Sequence, residues 1–448
     1  MLESQRLTAI LAVTLLTAAA GCSTNISPPA VSDAATPQVN QAKDTSTEPT
    51  ISAPQITLAA VNPTPTEQLK INQYLNGLAA KGFTKKNQGV WVQSSDRLLA
   101  NHQGTIPLPA ASITKVATSL VALSTFTPNH RFVTTISTTG PIQKGILEGD
   151  LIIEGNQDPF FIWEEAFALG NFLNQLGIKR VKGNLVISGK FYMNYEYDPL
   201  KSGNLLKVGM NSQLWTPQAL TQYRTLPPGT PRPQVIIDGA VKVVPTVPSN
   251  AKPLVRHYSP TLADLVKKMN RYSNNKMAEM IADSVGGAKQ VAQKAATIAG
   301  VPQPEIQLVN GSGLSELNKI SPRAAVALFI AIDRYLKASN MSIADVLAVV
   351  GQDKGILDER KIPQMSVVKS GSLNNVSALA GALPTKDRGI VWFAIMNGGN
   401  NLTGFRTEQE LLLNKLVKQW GVVDSLPSEL TPTQKPEDQM SRNEVVKE

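Results

Sequence analysis

The chain has 448 residues, too many for one ordinary domain, and its apolar content of 42% is sufficient for a hydrophobic core. The net charge is +9, but lysines and arginines are scattered rather than clustered, which argues against nucleic acid as a partner. The chain lacks a His-Glu-x-x-His motif and a Gly-x-Ser-x-Gly motif, which argues against a histidine-based zinc hydrolase and an α/β-hydrolase. Its three histidines, His102, His130 and His257, are expected at the surface or as capping residues.

The N-terminal segment, residues 1–22, is typical of an export signal. Arg6 precedes an apolar run at residues 7–20 that is too short to span a membrane. The sequence Ala19-Ala20-Gly21-Cys22 resembles a bacterial lipoprotein signal, in which the cysteine is lipidated and becomes the mature N-terminus. An ordinary signal peptide, cut elsewhere, is the alternative. Either signal predicts the periplasm or cell envelope, and lipidated Cys22 would anchor the protein to a membrane. Cys22 is the only cysteine, so no disulfide is expected.

The rest of the chain divides by composition. Residues 23–65 are rich in Ser, Thr, Pro, Ala and Gln and predict a disordered tether, and folded structure is expected from residue 66 to residue 137. In residues 138–254, two similar strand-like segments (149–155 and 183–189) flank an amphipathic helix, which predicts an inserted small α/β domain. Helical patterns and three strands follow in residues 255–425, and the polar residues 426–448 predict a disordered tail.

Candidate chemistry begins with Ser112 and Lys115. Residues three apart on a helix share a face, so this hydroxyl and this amine would be neighbours at the start of an apolar helix. Burial would lower the lysine pKa, as a base requires. The alternative is a helix N-cap and a surface lysine. Three further Ser-x-x-Lys patterns lie in a Pro-rich connection, across a helix break and on a strand, which do not align the pair: Ser249/Lys252, Ser273/Lys276 and Ser366/Lys369.

Two further motifs raise the significance of this pair. Ser273-Asn274-Asn275 falls in a break between two predicted helices, and Lys369-Ser370-Gly371-Ser372 ends a predicted strand. Glycine there would allow a ligand backbone to approach closely, and Lys369 would bring positive charge for a carboxylate. Each alone is more typical of a helix cap or a turn. In the order Ser-x-x-Lys, Ser-x-Asn, Lys-Ser-Gly they match the three-part signature of penicillin-binding proteins and class A β-lactamases.

With its motif contexts, the sequence resembles the D-alanyl-D-alanine carboxypeptidase/endopeptidase family of low-molecular-mass penicillin-binding proteins over most of residues 66–422. The resemblance implies a serine β-lactamase/transpeptidase-like fold, in which helices flank an antiparallel sheet and a small α/β domain lies between the first and second catalytic motifs. It includes Pro109-Ala110-Ala111-Ser112-Ile113-Thr114-Lys115, Gly149-Asp150-Leu151 before Asp158-Pro159, Ser259-Pro260-x-Leu262, Asn310-Gly311-Ser312-Gly313-Leu314-Ser315 and Val376-Ser377-Ala378-Leu379-Ala380-Gly381.

The resemblance also implies catalytic roles. Ser112 would attack the carbonyl between two D-alanines and form an acyl-enzyme, with Lys115 as its base. Ser273 would relay a proton between the two lysines and the leaving amine, and Asn275 would hydrogen-bond the substrate peptide. Lys369 would complete this catalytic set. No metal and no organic cofactor is implied, and the expected partners are peptidoglycan stem peptides and β-lactam antibiotics.

The third motif is expected to bind the end of the substrate. Lys369 and Ser370 would hold the terminal carboxylate next to Gly371, and the backbone N–H groups of Ser112 and Ser372 would form an oxyanion hole. The family usually has threonine where this chain has Ser370, and often asparagine where it has Ile113. The inserted domain is also shorter than in the best-known members of the family. Two alternatives stay open: a wall-binding lipoprotein without turnover, and a β-lactamase or esterase on the same fold.

Overall fold

The computed structural model describes residues 63–95 and 97–447, so Cys22 and the segments expected to be the signal and most of the tether lie outside the described residues. The α-helices in this part are α1 (Pro65–Ala80), α2 (Thr114–Phe126), α3 (Trp163–Gln175), α4 (Pro199–Gly209), α5 (Pro217–Tyr223), α6 (Leu262–Arg271), α7 (Asn275–Ser284), α8 (Gly287–Ala299), α9 (Pro322–Lys337) and α10 (Leu402–Trp420). Among these helices, none is long and apolar enough to span a bilayer.

The same ranges contain many short strands and a few long ones. They are β1 (Gln88–Ser94), β2 (Arg97–His102), β3 (Leu108–Pro109), β4 (Val133–Thr138), β5 (Ile142–Gln143), β6 (Ile146–Leu147), β7 (Leu151–Asn156), β8 (Arg180–Val181), β9 (Leu185–Lys190), β10 (Ile236–Ile237), β11 (Val241–Val243), β12 (Lys252–Tyr258), β13 (Ile306–Gln307), β14 (Lys319–Ile320), β15 (Ala348–Val349), β16 (Val367–Leu373), β17 (Val376–Thr385), β18 (Gly389–Gly398) and β19 (Arg442–Val445).

One sheet is antiparallel throughout and has the order β15-β16-β17-β18-β1-β2. Because successive strand residues point to opposite faces, Val367 packs with the core of α2 and α6–α9, whereas Val368 packs with α1 and α10. Every residue of β17 is buried, since both faces are covered. The antiparallel sheet flanked by helices, expected from the resemblance, is confirmed.

Helix α2 runs through the middle of the helical layer. Val116, Leu120 and Leu123 are fully buried, and each contributes about 1.5–3 kcal/mol through the apolar surface it removes from water. The helix also buries polar side chains, among them Lys115 and Ser119. Polar groups in such a position are costly unless they find hydrogen-bond partners inside the protein.

A second sheet has the order β11-β9-β7-β4-β12-β19. The two similar sequence segments become its parallel neighbours β7 and β9, and their equivalent residues pair in register, Leu151 with Leu185. Helix α3 connects them and buries Trp163 and Phe167 in the core of this part. This is the strand–helix–strand unit that the sequence predicted. The sheet also includes β4 and β12, so it extends beyond the expected insert boundaries at residues 138 and 254.

The prediction of a disordered tail at residues 426–448 is wrong for the described residues up to 447. Strand β19 pairs antiparallel with β12, Leu430 is fully buried, and Arg131 donates to the carbonyls of Glu437 and Met440 at 2.9 and 2.8 Å. The composition of this segment is polar, but a polar strand can be held at a sheet edge by backbone hydrogen bonds alone. Pairing partners distant in sequence leave no local signal.

The expectation for His257 is also wrong, because this residue is fully buried beneath the tail rather than at the surface. Its Nδ1 lies 2.9 Å from the Asn443 side-chain oxygen, and its Nε2 faces Asp158 and Glu165 at 3.9 and 3.8 Å. Burial lowers the pKa of His257 to about 4 and raises the pKa of both carboxyls to about 7. Burial therefore favours the uncharged form of all three groups.

Candidate active site

Ser112 lies in a short 3-10 turn, Ala111–Ile113, that leads directly into α2. The serine is thus one turn before the α-helix rather than its first residue, but it keeps the three-residue offset from Lys115. Ala111 has a positive φ of 46°, a strained conformation for a residue with a side chain. Gly313 packs against this turn so closely that a Cβ there would lie 1.9 Å from the Ala111 carbonyl oxygen. The surrounding chain therefore holds the turn in a strained form.

Lys115 is fully buried and has three hydrogen-bond acceptors. Its Nζ lies 3.0 Å from Ser112 Oγ, 2.8 Å from Asn275 Oδ1 and 2.7 Å from the carbonyl oxygen of Ser312. Burial lowers the lysine pKa to about 7, and the negative charge of Glu279 opposes this shift only in part. A substantial fraction of Lys115 is therefore neutral at pH 7 and can accept the proton of the neighbouring hydroxyl.

Glu279 and Ser312 complete the surroundings of Lys115, and motif analysis assigned neither a role. The Glu279 carboxylate accepts hydrogen bonds from the backbone N–H groups of Gly311 and Ser312, at 2.8 and 2.9 Å. This fixes the loop whose Ser312 carbonyl binds Lys115. The Gly311-Ser312-Gly313 sequence was visible as part of the resemblance. Glu279 could have been found from its position four residues after Asn275, on the same helix face.

Ser273 and Asn275 come from the break between α6 and α7, as the sequence predicted. The N–H groups of Ser273 and Asn274 donate to the carbonyls of Asn270 and Met269, which closes the end of α6 in a Schellman motif. Ser273 occupies the position usually taken by glycine and has a φ of 51°. Asn274 caps α7 through Met277 N–H. The break consequently directs Asn275 to Lys115 and Ser273 to the third motif.

Lys369 is the second buried lysine of the site. Its Nζ lies 3.1 Å from Ser273 Oγ and 2.7 Å from the carbonyl oxygen of Ser370. Burial, followed by the nearby charge of Lys115, lowers the pKa of Lys369 well below its ordinary value. The two lysines are therefore unfavourable as a doubly charged pair. Protonation of one amine lowers the proton affinity of the other, and this property suits a site that passes a proton between groups.

The Cβ position of Gly371 faces the Ser112 turn and not an open space. A Cβ at this position would lie 2.7 Å from Ala110 O, 2.9 Å from Ser112 N and 3.1 Å from Ala111 Cβ. The close approach is that of the Ser112 turn itself. Glycine at 371 therefore sets the distance between the third motif and the turn that carries the hydroxyl.

Ser370 and Ser372 lie on the opposite face of β16 from Lys369 and Gly371, because strand residues alternate. Ser370 is buried, and Ser372 Oγ accepts a hydrogen bond from Arg406 Nη2 at 2.9 Å. Arg406, on α10, was not identified from sequence because no motif surrounds it. Beyond Val368, β16 pairs only with β17 among the described residues, so its other edge is free beside Ser112. A substrate peptide can add along such an edge.

The site residues predicted from sequence therefore lie together, with the exception of Cys22, which is outside the described residues. The arrangement places the Ser112 hydroxyl against an amine that is partly uncharged at pH 7. A second hydroxyl–amine pair, Ser273 and Lys369, is close enough for the charges of the two lysines to interact. Such a site can form and hydrolyse an ester on Ser112. Among residues 63–95 and 97–447, no group of three or more His, Cys, Asp or Glu side chains is placed to hold a metal ion.

Comparisons with known proteins support this chemistry. D-alanyl-D-alanine carboxypeptidase DacB of Haemophilus influenzae is 21% identical in an alignment 420 residues long. The match covers 71% of this chain and 85% of that protein.

Solved structures with the same fold include the Bd3459 predatory endopeptidase of Bdellovibrio bacteriovorus, with 21% identity and a TM-score of 0.65 over 78% of this chain and 98% of that one. They also include penicillin-binding protein 4 of H. influenzae, with 18% identity and a TM-score of 0.55 over 74% and 96% of the two chains.

The family model of the D-Ala-D-Ala carboxypeptidase 3 (S13) family matches residues 71–196 and 233–414. These ranges include Ser112, Lys115, Ser273, Asn275 and the third motif, and they make up well over half of the chain. The chain therefore belongs to the D-Ala-D-Ala carboxypeptidase 3 (S13) family.

Proposed function

We propose that this protein is a serine DD-peptidase that hydrolyses D-Ala-D-Ala bonds of peptidoglycan stem peptides through an acyl-enzyme on Ser112. The observation that carries the proposal is the 3.0 Å contact of Ser112 Oγ with an amine, Lys115 Nζ, that burial drives towards the neutral form. Both activities are included, removal of a terminal D-alanine and cleavage of a D-Ala-linked cross-link. The named relatives comprise a carboxypeptidase and an endopeptidase, which supports this breadth.

Acylation begins when Lys115 takes the proton of Ser112 and the oxygen attacks the carbonyl of the penultimate D-alanine. The tetrahedral oxyanion is stabilised by the backbone N–H groups of Ser112 and Ser372. Its collapse breaks the peptide bond. Lys115 passes the proton that it took from Ser112 to the leaving amine through Ser273, which is 3.1 Å from Lys369, so Lys115 is neutral again. Asn275 holds the peptide backbone, and the products are an ester on Ser112 and a free D-alanine or cross-linked fragment.

Deacylation reverses the same proton movements with water in place of the amine. Lys115 takes a proton from the water as its oxygen attacks the ester carbonyl. Collapse of the second intermediate returns the proton to Ser112 and releases the shortened peptide as a carboxylic acid. A β-lactam would acylate the same hydroxyl. One relative, the Bd3459 endopeptidase, has been solved acylated by penicillin G.

Labelling with a fluorescent penicillin tests the nucleophile. The wild-type protein should be labelled and Ser112→Ala should not, while its thermal midpoint stays unchanged. Release of D-alanine from a pentapeptide should show the same dependence. Equal labelling of both proteins contradicts the proposed nucleophile. Binding without D-alanine release favours the wall-binding alternative, and rapid turnover of penicillin favours a β-lactamase.

We further propose that the protein is exported and anchored through lipid on Cys22, with the segment between Cys22 and helix α1 as a tether between lipid and enzyme. The sequence Ala19-Ala20-Gly21-Cys22 and the wall-directed activity support this assignment. Expression of the full chain with a labelled fatty acid tests it. Wild type should carry the label and sediment with membranes, and Cys22→Ser should lose both properties. An unlabelled wild-type protein contradicts the anchor.

A further inference from the structure

Arg406 is a half-buried guanidinium at the edge of the site, on the face of the sheet opposite the nucleophile helix. It lies near the start of α10, and its Nη2 donates to Ser372 Oγ at 2.9 Å. Its Nε is buried and has no hydrogen-bond partner among the described residues. A guanidinium carries five N–H donors, so most of its capacity is free for a ligand.

The charge of Arg406 is also uncompensated within the described part of the chain. Other half-buried arginines pair with carboxylates, Arg323 with Glu305 and Arg360 with Glu410. Arg406 forms no such ion pair, and its charge even contributes to the lowered pKa of Arg360. Two neighbouring guanidinium groups with one carboxylate leave a net positive site, which an anionic ligand would balance.

Helix α10 holds Arg406 in a fixed position relative to the third motif. One turn after Arg406, the buried Gln409 donates to the Ser377 carbonyl at 3.1 Å and to Asn397 Oδ1 at 2.8 Å. These acceptors lie on β17 and β18, and β17 is the neighbour of β16. The arginine therefore presents its donors without first having to order a loop, which reduces the entropic cost of binding.

A carboxylate is the anion that fits this position. Ser370 and Ser372 share one face of β16, and Arg406 approaches Ser372 from that face. Lys369 is a poor permanent cation, because burial and Lys115 favour its neutral form. Arginine stays charged at every physiological pH, and its planar fork matches the two oxygens of a carboxylate.

We propose that Arg406 is a specificity-determining residue that binds the terminal carboxylate of the peptide substrate together with Ser370 and Ser372. This inference rests on the proposed DD-peptidase function, whose substrates end in a free carboxylate. Arg406 selects that end by charge and by bidentate hydrogen bonds, whereas Ser112 and Lys115 carry out the bond cleavage. Substrates without the carboxylate gain nothing from Arg406.

The test compares an N-acylated tripeptide ending in D-Ala-D-Ala with its C-terminal amide, using the full chain. For Arg406→Gln, we expect kcat/KM for the acid to fall about 10- to 100-fold, mostly through KM, and kcat/KM for the amide to change less than about threefold. Arg406→Lys should recover part of the loss. An equal fall for acid and amide indicates structural damage and overturns the inference, as does an unchanged acid-to-amide ratio.

Arg323→Gln is the matched control, because this half-buried guanidinium is paired with Glu305 and does not contact Ser372. It should leave the acid-to-amide ratio unchanged. A second measurement separates the inference from the proposed function: binding of both peptides by calorimetry in a Ser112→Ala background, with and without Arg406→Gln. A wild-type protein that never releases D-alanine contradicts the proposed function. Absence of any preference for the acid in this binding assay overturns the role of Arg406.

Discussion

Replacement of Gly371 by alanine tests whether the third motif sets the position of the nucleophile. The added methyl group would meet Ala110 O, Ser112 N and Ala111 Cβ at 2.7, 2.9 and 3.1 Å. Two of these atoms belong to the backbone and the third is fixed to it, so none can rotate away. The backbone of Gly371 has an ordinary φ, which means that the perturbation is one of space and not of conformation.

The size of the effect follows from those distances. Ordinary contacts to a Cβ begin at 3.4 Å, so the Ser112 turn or β16 has to move by about half an ångström. Overpacking of this kind costs about 1–3 kcal/mol of folding stability. Misplacement of a reacting group by about 1 Å can lower a rate about 100-fold. We therefore expect acylation to slow by about 10- to 100-fold, a larger proportional effect than the loss of stability alone explains.

The assay is the rate of acylation by a fluorescent penicillin, measured alongside urea unfolding. Gly77→Ala is the matched control, because a Cβ at position 77 meets no atom within 4 Å in helix α1. That variant should acylate at the wild-type rate and gain about 0.5–1 kcal/mol in stability. Normal acylation by Gly371→Ala would refute the claim that glycine at 371 positions Ser112.

Three further predictions concern charge and strain. Glu279→Gln removes a negative charge that raises the pKa of Lys115. The acid limb of the pH–rate profile for acylation should therefore move below about pH 7. An acid limb that does not move contradicts Lys115 as the base. Ser273→Gly removes the strain of a side chain at positive φ and should stabilise the protein by about 1 kcal/mol in urea unfolding. The rate of D-alanine release should fall. Equal stability of Ser273→Ala and Ser273→Gly would argue against strain at this position. Burial raises the pKa of Asp158 to about 7, so the folded protein loses stability as the pH rises from about 4 to 7. Asp158→Asn keeps a neutral side chain of nearly the same shape at every pH. Its free energy of unfolding should exceed that of wild type by about 2–4 kcal/mol at pH 8 and by little at pH 4. The same gain at both pH values contradicts this mechanism.

The sequence predicted those parts of the fold whose residue patterns are local or repeated. The two similar strand-like segments, residues 149–155 and 183–189, indicated two strands with a helix between them, and the structure pairs them in parallel, with Leu151 opposite Leu185. The antiparallel sheet followed from the resemblance. The sequence did not predict strand β19, because a strand that pairs with an edge strand distant in sequence needs no alternation of apolar residues of its own.

The site shows the same division. Ser112, Lys115, Ser273 and Lys369 were identified because their motifs are short and ordered, and the structure brings them together; their catalytic roles stay predictions. Glu279 acts through backbone N–H groups of a loop and has no motif of its own. Arg406 contacts the third motif across 34 residues of sequence. Such contacts depend on tertiary structure, which composition and spacing do not record.

The pairing of β19 with β12 has a consequence for when the protein can become complete during its synthesis. His257 and Asn443, which meet in this pairing, are separated by 186 residues. The second sheet cannot close its edge, and His257 cannot receive its partner, until residue 443 has emerged and the intervening chain has folded or collapsed. Assembly of this sheet is therefore late. A protease or chaperone that acts during synthesis would meet an open sheet edge on β12, whereas the complete protein presents β19.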